Sequence, residues 1–144
     1  MFPKKQANGE TRVFFTRRVL KLISAQDVGV PLIRKNVIGQ MEGAAVQGLG
    51  YALSEQFEVQ DGVPKSLKLK DMGLLRFRDI PEIQPIMVED PHPKGPFGAK
   101  GMGELAITPT APAVANAVHD AVGVWINTLP ITAEKIRAAL NEKK

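Results

Sequence analysis

The run Gly98-Ala-Lys-Gly-Met-Gly-Glu104 constrains this chain more than any other stretch, because three glycines within seven residues weaken helix and strand alike. It must be a loop, and its permissive backbone lets another group approach closely. The run ends on a carboxylate, after which Leu105-Ala-Ile107, Thr108-Pro-Thr110 and an alanine-rich helical pattern follow. Glu104 is therefore placed in a loop just upstream of a helix, where reactive side chains are commonly displayed.

A dinucleotide site asks for G-x-G-x-x-G between a strand and a helix. Here the spacing is Gly98-x-x-Gly101-x-Gly103, with Pro96 just before it, which is a poor match. A phosphate loop asks for Ser or Thr directly after its lysine, and Lys100 is followed by Gly101. Two readings remain open from residue types alone. One is a general base held by a tight glycine loop; the other is a surface turn with a solvated glutamate, the ordinary state of that residue.

A second constellation lies upstream. A helix is expected from an N-cap at Asn36 to about Gln56, with Ile38, Met41, Ala45, Leu49, Ala52 and Leu53 as its apolar stripe. The opposite face carries Gln40, Gly43, Gln47 and Gly50. Glycine inside a helix costs roughly 1 kcal/mol relative to alanine, so this face calls for close approach of another surface, with the glutamine amides as hydrogen-bonding groups.

Elsewhere the punctuation is local. Asn8-Gly9 and Asp61-Gly62 read as hairpin turns. Thr11 to Phe15, Val19 to Ala25, Ile83 to Val88 and Trp125 to Leu129 read as strands, the third of them buried. A second helix is expected from Thr110, with Pro112 in its first turn, to a stop at Gly123. Thr132 caps a terminal helix stapled by Ile131 and Ile136. Three helices and short strands without regular alternation indicate an α+β fold.

Composition excludes several classes. No cysteine is present, so disulfides and thiolate-held clusters are absent from this chain. His92 and His119 are isolated and make no metal constellation. The net charge of +4 draws on Lys4, Lys5, Arg12, Arg17, Arg18 and Lys21, a basic start that lacks the aromatic interleaving or reader motif of a nucleic-acid binder. No apolar stretch approaches the roughly 18 residues of a membrane span, and no signal-peptide core follows Met1-Phe-Pro-Lys-Lys5. The expectation is a cytoplasmic protein with no nucleic-acid or membrane partner.

Taken together, Pro96-Phe-Gly-Ala-Lys-Gly-Met-Gly-Glu104, the Thr108-to-Gly123 segment behind it and Gly39-Gln-Met-Glu-Gly43 with Gln47-Gly48 upstream resemble the C-terminal part of the molybdopterin-binding large subunit of the xanthine dehydrogenase and aldehyde oxidase family. The resemblance runs from about Leu20 to Leu140. It implies an α+β portion of a larger subunit that hydroxylates a carbon beside a ring nitrogen or an aldehyde carbon, with Glu104 as the active-site base. It also implies molybdenum-molybdopterin, in some members as a dinucleotide, contacted by Gln40 and bordered by Gly39, Gly101 and Lys100, with Lys100 shaping the loop or offsetting charge. The metal in that family takes no protein ligand. The partners implied are the remaining large-subunit sequence, an iron–sulfur subunit with 2Fe–2S clusters, an FAD subunit and a small-molecule substrate, so the isolated chain is expected to be inert.

Three positions depart from the family pattern. Leu32-Ile33-Arg34 replaces an Ile-Asn-Pro turn, Ala44 replaces a second glycine, and Met72 to Leu75 lacks a Tyr-x-Ile-Pro segment. The first of these, with the upstream part of the family's subunit lying outside the resemblance, keeps a second function open, that of an interaction module that pairs with other chains and performs no chemistry.

Overall fold

The computed structural model describes residues 2–5, 11–14 and 18–143. Strands β1 (Phe2–Lys5) and β2 (Thr11–Phe14) pair antiparallel, Phe2 opposite Phe14. The Asn8-Gly9 turn and Phe15 lie outside the described residues. The next strand, β3 (Lys21–Asp27), begins two residues later than Val19 and ends two later than Ala25, because its limits are set by a partner far along the chain.

Helix α1 (Arg34–Leu53) begins before the expected cap: Ile33 occupies the N-cap position, and no side chain caps the helix. At its start the Asn36 and Val37 amides both donate to the Ile33 carbonyl, at 3.0 and 3.2 Å, and Arg34 Nη1 lies 2.6 Å from Glu89 Oε1. The helix also stops short of Gln56, since the amides of Ser54 and Glu55 both donate to the Gly50 carbonyl, at 2.9 and 2.8 Å, and turn the chain. Met41, Ala45, Leu49 and Ala52 are buried as the periodicity requires, joined by Ala44 and Gly48, while Ile38 and Leu53 are half-buried.

A small hairpin of β4 (Val59–Gln60) and β5 (Val63–Pro64) turns on Asp61 and Gly62, at φ 51° and 78°, the backbone signs that a tight hairpin demands. The chain returns through two short 3-10 turns to β6 (Glu82–Val88), which runs parallel to β3 from Lys21 opposite Glu82 to Asp27 opposite Val88. The expected burial of this strand is corrected: its residues alternate between exposed and half-buried, since α1 packs on this two-stranded sheet and one face stays uncovered.

Helix α2 (Thr110–Val122) ends on Gly123 at φ 69° and crosses α1 at Gly48. A Cβ on Gly48 would stand 2.7 Å from Thr110 Cβ and 3.0 Å from the Ile107 carbonyl oxygen, so the backbones meet only because no side chain intervenes. Residues Trp125 to Leu129 are irregular rather than a strand; Val124 and Ile126 are buried, but no neighbouring strand is available to pair with them among the described residues. Helix α3 (Ala133–Glu142) follows, capped by Thr132, whose Oγ1 accepts from the Lys135 amide at 3.2 Å, and stapled by the buried Ile131 and Ile136.

The core gathers Leu49 and Ala52 of α1, Val114 of α2, Val124 and Ile126 of the irregular segment, and Ile131 and Ile136 around α3. The Ile131 amide donates to the Ala52 carbonyl at 2.7 Å, fastening the C-terminal region to α1. The fold is α+β, and no helix of the described residues is long and apolar enough to cross a membrane.

Candidate functional site

Parallel strands bring their C-terminal ends to one edge, the edge at which open α/β sheets commonly bind ligands. Here β3 runs on into Val28-Gly29 and β6 into Glu89-Asp90, and the glycine loop is stitched to both extensions. The Lys100 amide donates to the Val28 carbonyl at 3.2 Å; the amides of Val30 and His92 both donate to the Gly98 carbonyl at 3.0 Å. Gly29 lies so close that an added Cβ would stand 2.3 Å from the Gly98 oxygen, and its φ of 60° disfavours any side chain there. Phe97, one residue earlier, takes φ 53° while largely exposed, a conformation that bulky residues seldom adopt.

The Lys100 side chain turns back onto the strand ends. Its Nζ lies 2.5 Å from Asp27 Oδ2 and 3.5 Å from Asp90 Oδ2, with the side chain 24% exposed. The other oxygen of Asp27 accepts from the Gly29 amide at 3.0 Å. The Lys100 hydrogen bond, aided by the Gly29 amide, pulls the Asp27 carboxyl below its ordinary range, and the same contact with Asp27 raises Lys100. Sequence reasoning found Lys100 but not Asp27 or Asp90. The Asp-Val-Gly spacing of residues 27–29 carried a usable signal, a carboxylate folding back on an amide two residues on; nothing local marks Asp90.

Beyond Lys100 the loop is open. Among the described residues, no hydrogen bond engages the amides of Gly101, Met102, Gly103 and Glu104. A Cβ on Gly101 or Gly103 would meet nothing within 4 Å. The Glu104 side chain is exposed and has no hydrogen bond or ion pair among the described residues. Its backbone is anchored on the far side: Ile107 donates to the Glu104 carbonyl at 3.0 Å, Ala106 is buried, and Thr110 Oγ1 donates to the Ala106 carbonyl at 2.7 Å. Thus the turn bearing Glu104 leads directly to the α1–α2 crossing at Gly48.

On α1, Gly39, Gln40, Gly43 and Gln47 are exposed, and a Cβ on Gly39 or Gly43 would touch nothing within 4 Å. Gln47 donates to the Tyr51 hydroxyl at 3.1 Å; the Gln40 amide has no partner among the described residues. Gly50 leaves this set. It is buried rather than exposed, and its carbonyl accepts the Ser54 and Glu55 amides that turn the chain after α1. The unpaired backbone donors of residues 101–104 and the free side-chain amide of Gln40 are each of the kind that a polar heterocycle bearing oxygen and nitrogen acceptors takes up.

The two histidines are otherwise occupied. His92 Nδ1 accepts from the Lys94 amide at 3.1 Å, and His119 stacks on Trp125 with ring centroids 3.9 Å apart.

Comparison with known proteins agrees with the architecture. The family model described as a molybdopterin cofactor-binding domain matches residues 14–81, a span that includes α1 but not Glu104. A probable hypoxanthine oxidase of Escherichia coli is 34% identical over 127 residues, covering 87% of this chain and 13% of that protein. Quinoline 2-oxidoreductase from Pseudomonas putida superposes with a TM-score of 0.79 at 31% identity, over 94% of this chain and 17% of the other. For the aldehyde oxidoreductase of Desulfovibrio gigas the TM-score is 0.80 at 36% identity, over 94% of this chain and 14% of the other. The chain thus spans about one seventh of the length of the relatives it matches. With the sequence identity, its coverage of this chain and the fold in agreement, the chain belongs to the molybdopterin-binding xanthine dehydrogenase and aldehyde oxidoreductase family.

Proposed function

We propose that this chain supplies the proton-abstracting carboxylate, Glu104, and one wall of the molybdopterin site in a molybdenum hydroxylase acting on an N-heterocyclic or aldehyde carbon. The observations that carry this reading are, among the described residues, an unengaged carboxylate and four unpaired amides on residues 101–104 and, on α1, the open Gly39–Gln40–Gly43 face. Gln40 offers its amide to the pterin, Gly39 gives close backbone access, and Gly101 presents its N–H group. Lys100 borders the same surface through its loop backbone, its ammonium being committed to Asp27 and Asp90. When bound, molybdopterin with its metal supplies the transferred oxygen and takes up the electrons of the oxidation. Glu104 accepts the proton released as that oxygen reaches carbon, which requires it within hydrogen-bond reach of the proton.

The named relatives, a probable hypoxanthine oxidase, a quinoline oxidoreductase and an aldehyde oxidoreductase, support the substrate class. The remaining large-subunit sequence closes the other sides of the site, and iron–sulfur and FAD subunits carry the electrons away. A chain that serves only as an interaction module would account equally for the exposed Leu20, Leu67 and Phe77. Turnover by Glu104→Gln in the reconstituted complex separates the two. General base catalysis is worth about 10² to 10⁴, so the variant should lose at least about a hundredfold in kcat while keeping its molybdenum. Retention of more than about a tenth of the activity would remove Glu104 from the role of base.

A further inference from the structure

We propose that Asp27, Lys100 and Asp90 form a clamp that positions Glu104, by tying the middle of the glycine loop to the C-terminal ends of both parallel strands. This rests on the reading of Glu104 as the base. Asp27 is the last residue of β3, and Asp90 lies two residues beyond β6. The Lys100 ammonium meets both, at 2.5 and 3.5 Å. Asp27 is itself oriented by the Gly29 amide, so its second oxygen points at Lys100 rather than rotating freely. The backbone repeats the same attachment through Val28 to Lys100, Val30 to Gly98 and the bridge between Gly29 and Ala99.

Past Lys100, among the described residues, no further hydrogen bond of the main chain is made until the Glu104 carbonyl accepts from Ile107. Lys100 is accordingly the last fixed point before the carboxylate, and two of the three residues between them are glycines. Partly exposed ion pairs add little to stability, so the value of this one lies in placement. A misplacement of about 1 Å at a reacting group can cost on the order of a hundredfold in rate. Asp27, Lys100 and Asp90 are on this account positioning residues, and none of them touches the reacting atoms.

The test uses the complete subunit assembled with its partners and loaded with cofactor. Lys100→Met should lower kcat roughly ten- to a hundredfold with KM and molybdenum content unchanged, and Lys100→Arg should recover most of the loss. Asp27→Asn should reproduce the defect, and the double variant should be no worse than the poorer single one, as expected of groups acting as a unit. Independently of turnover, the amides of Val30, His92 and Lys100 should exchange hydrogen faster in Lys100→Met, with those of α1 and α3 unchanged. Wild-type kcat and exchange in Lys100→Met would overturn the clamp. So would a loss of molybdenum in proportion to activity, which would make Lys100 a cofactor ligand. Should Lys100→Met fail to fold, Asp27→Asn and Lys100→Arg carry the same comparison. If Glu104→Gln stays active, the base assignment fails, while the exchange measurement still decides whether the clamp holds the loop.

Discussion

Asp27 and Lys100 shift in opposite directions, and the signs define a pH window. The Asp27 carboxyl lies below its ordinary 3.8 in the folded chain, so its contribution to stability is complete above that value and is lost as pH falls through the lower folded one. Lys100 lies above its ordinary 10.5; its contribution is complete below that value and is lost as pH rises through the higher folded one. The small part of the stability difference between wild type and Lys100→Met that comes from the ion pair should therefore be flat across neutral pH and fade only at the two extremes, as a series of denaturation curves would register. The neighbouring Gly29 makes a sharper prediction. In Gly29→Ala the left-handed backbone alone costs about 1–2 kcal/mol, and the 2.3 Å approach to the Gly98 oxygen adds to it. The midpoint of urea unfolding should fall accordingly.

Two glycines of α1, five residues apart, are predicted to behave oppositely. Gly48→Ala drives a methyl into Thr110 at the crossing with α2 and should destabilise by about 1–3 kcal/mol, the usual range for overpacking. Gly43→Ala meets open space and should raise helix stability by up to about 1 kcal/mol, yet lower molybdopterin retention if that face lies against the cofactor. Thr132→Ala should cost about 1 kcal/mol through loss of the cap on α3. Those elements whose limits are written in neighbouring residues were legible in the sequence: the Asp61-Gly62 hairpin, the stop at Gly123, and the Thr132 cap with its Ile131–Ile136 staple. Asn36 looked like a cap, but its amide and that of Val37 already donate to the Ile33 carbonyl. What else failed was decided at a distance: Trp125 to Leu129 had strand composition but no partner among the described residues. Of the candidate site, the loop and its carboxylate could be read directly, whereas Asp27 lies 73 residues from Lys100 and carried no pairing signal.

Across the whole molecule, large apolar side chains stand in solvent: Phe77 is 93% exposed, Phe97 86%, Leu67 78% and Leu20 76%. Where such residues form a contiguous patch, it is the kind of surface that other polypeptide covers. The purified chain should bind a dye such as ANS and self-associate with rising concentration, and both effects should disappear in the assembled complex. The parallel pairing of β3 with β6 also dictates a time order. Helix α1 is made of local contacts and can arise in about a microsecond or less, but each of the seven residue pairs between Lys21–Asp27 and Glu82–Val88 joins points about sixty residues apart, and long-range closure of that kind slows folding. Because the glycine loop is sewn to the far ends of both strands, the carboxylate it carries can be trained on its target only after that sixty-residue closure is complete.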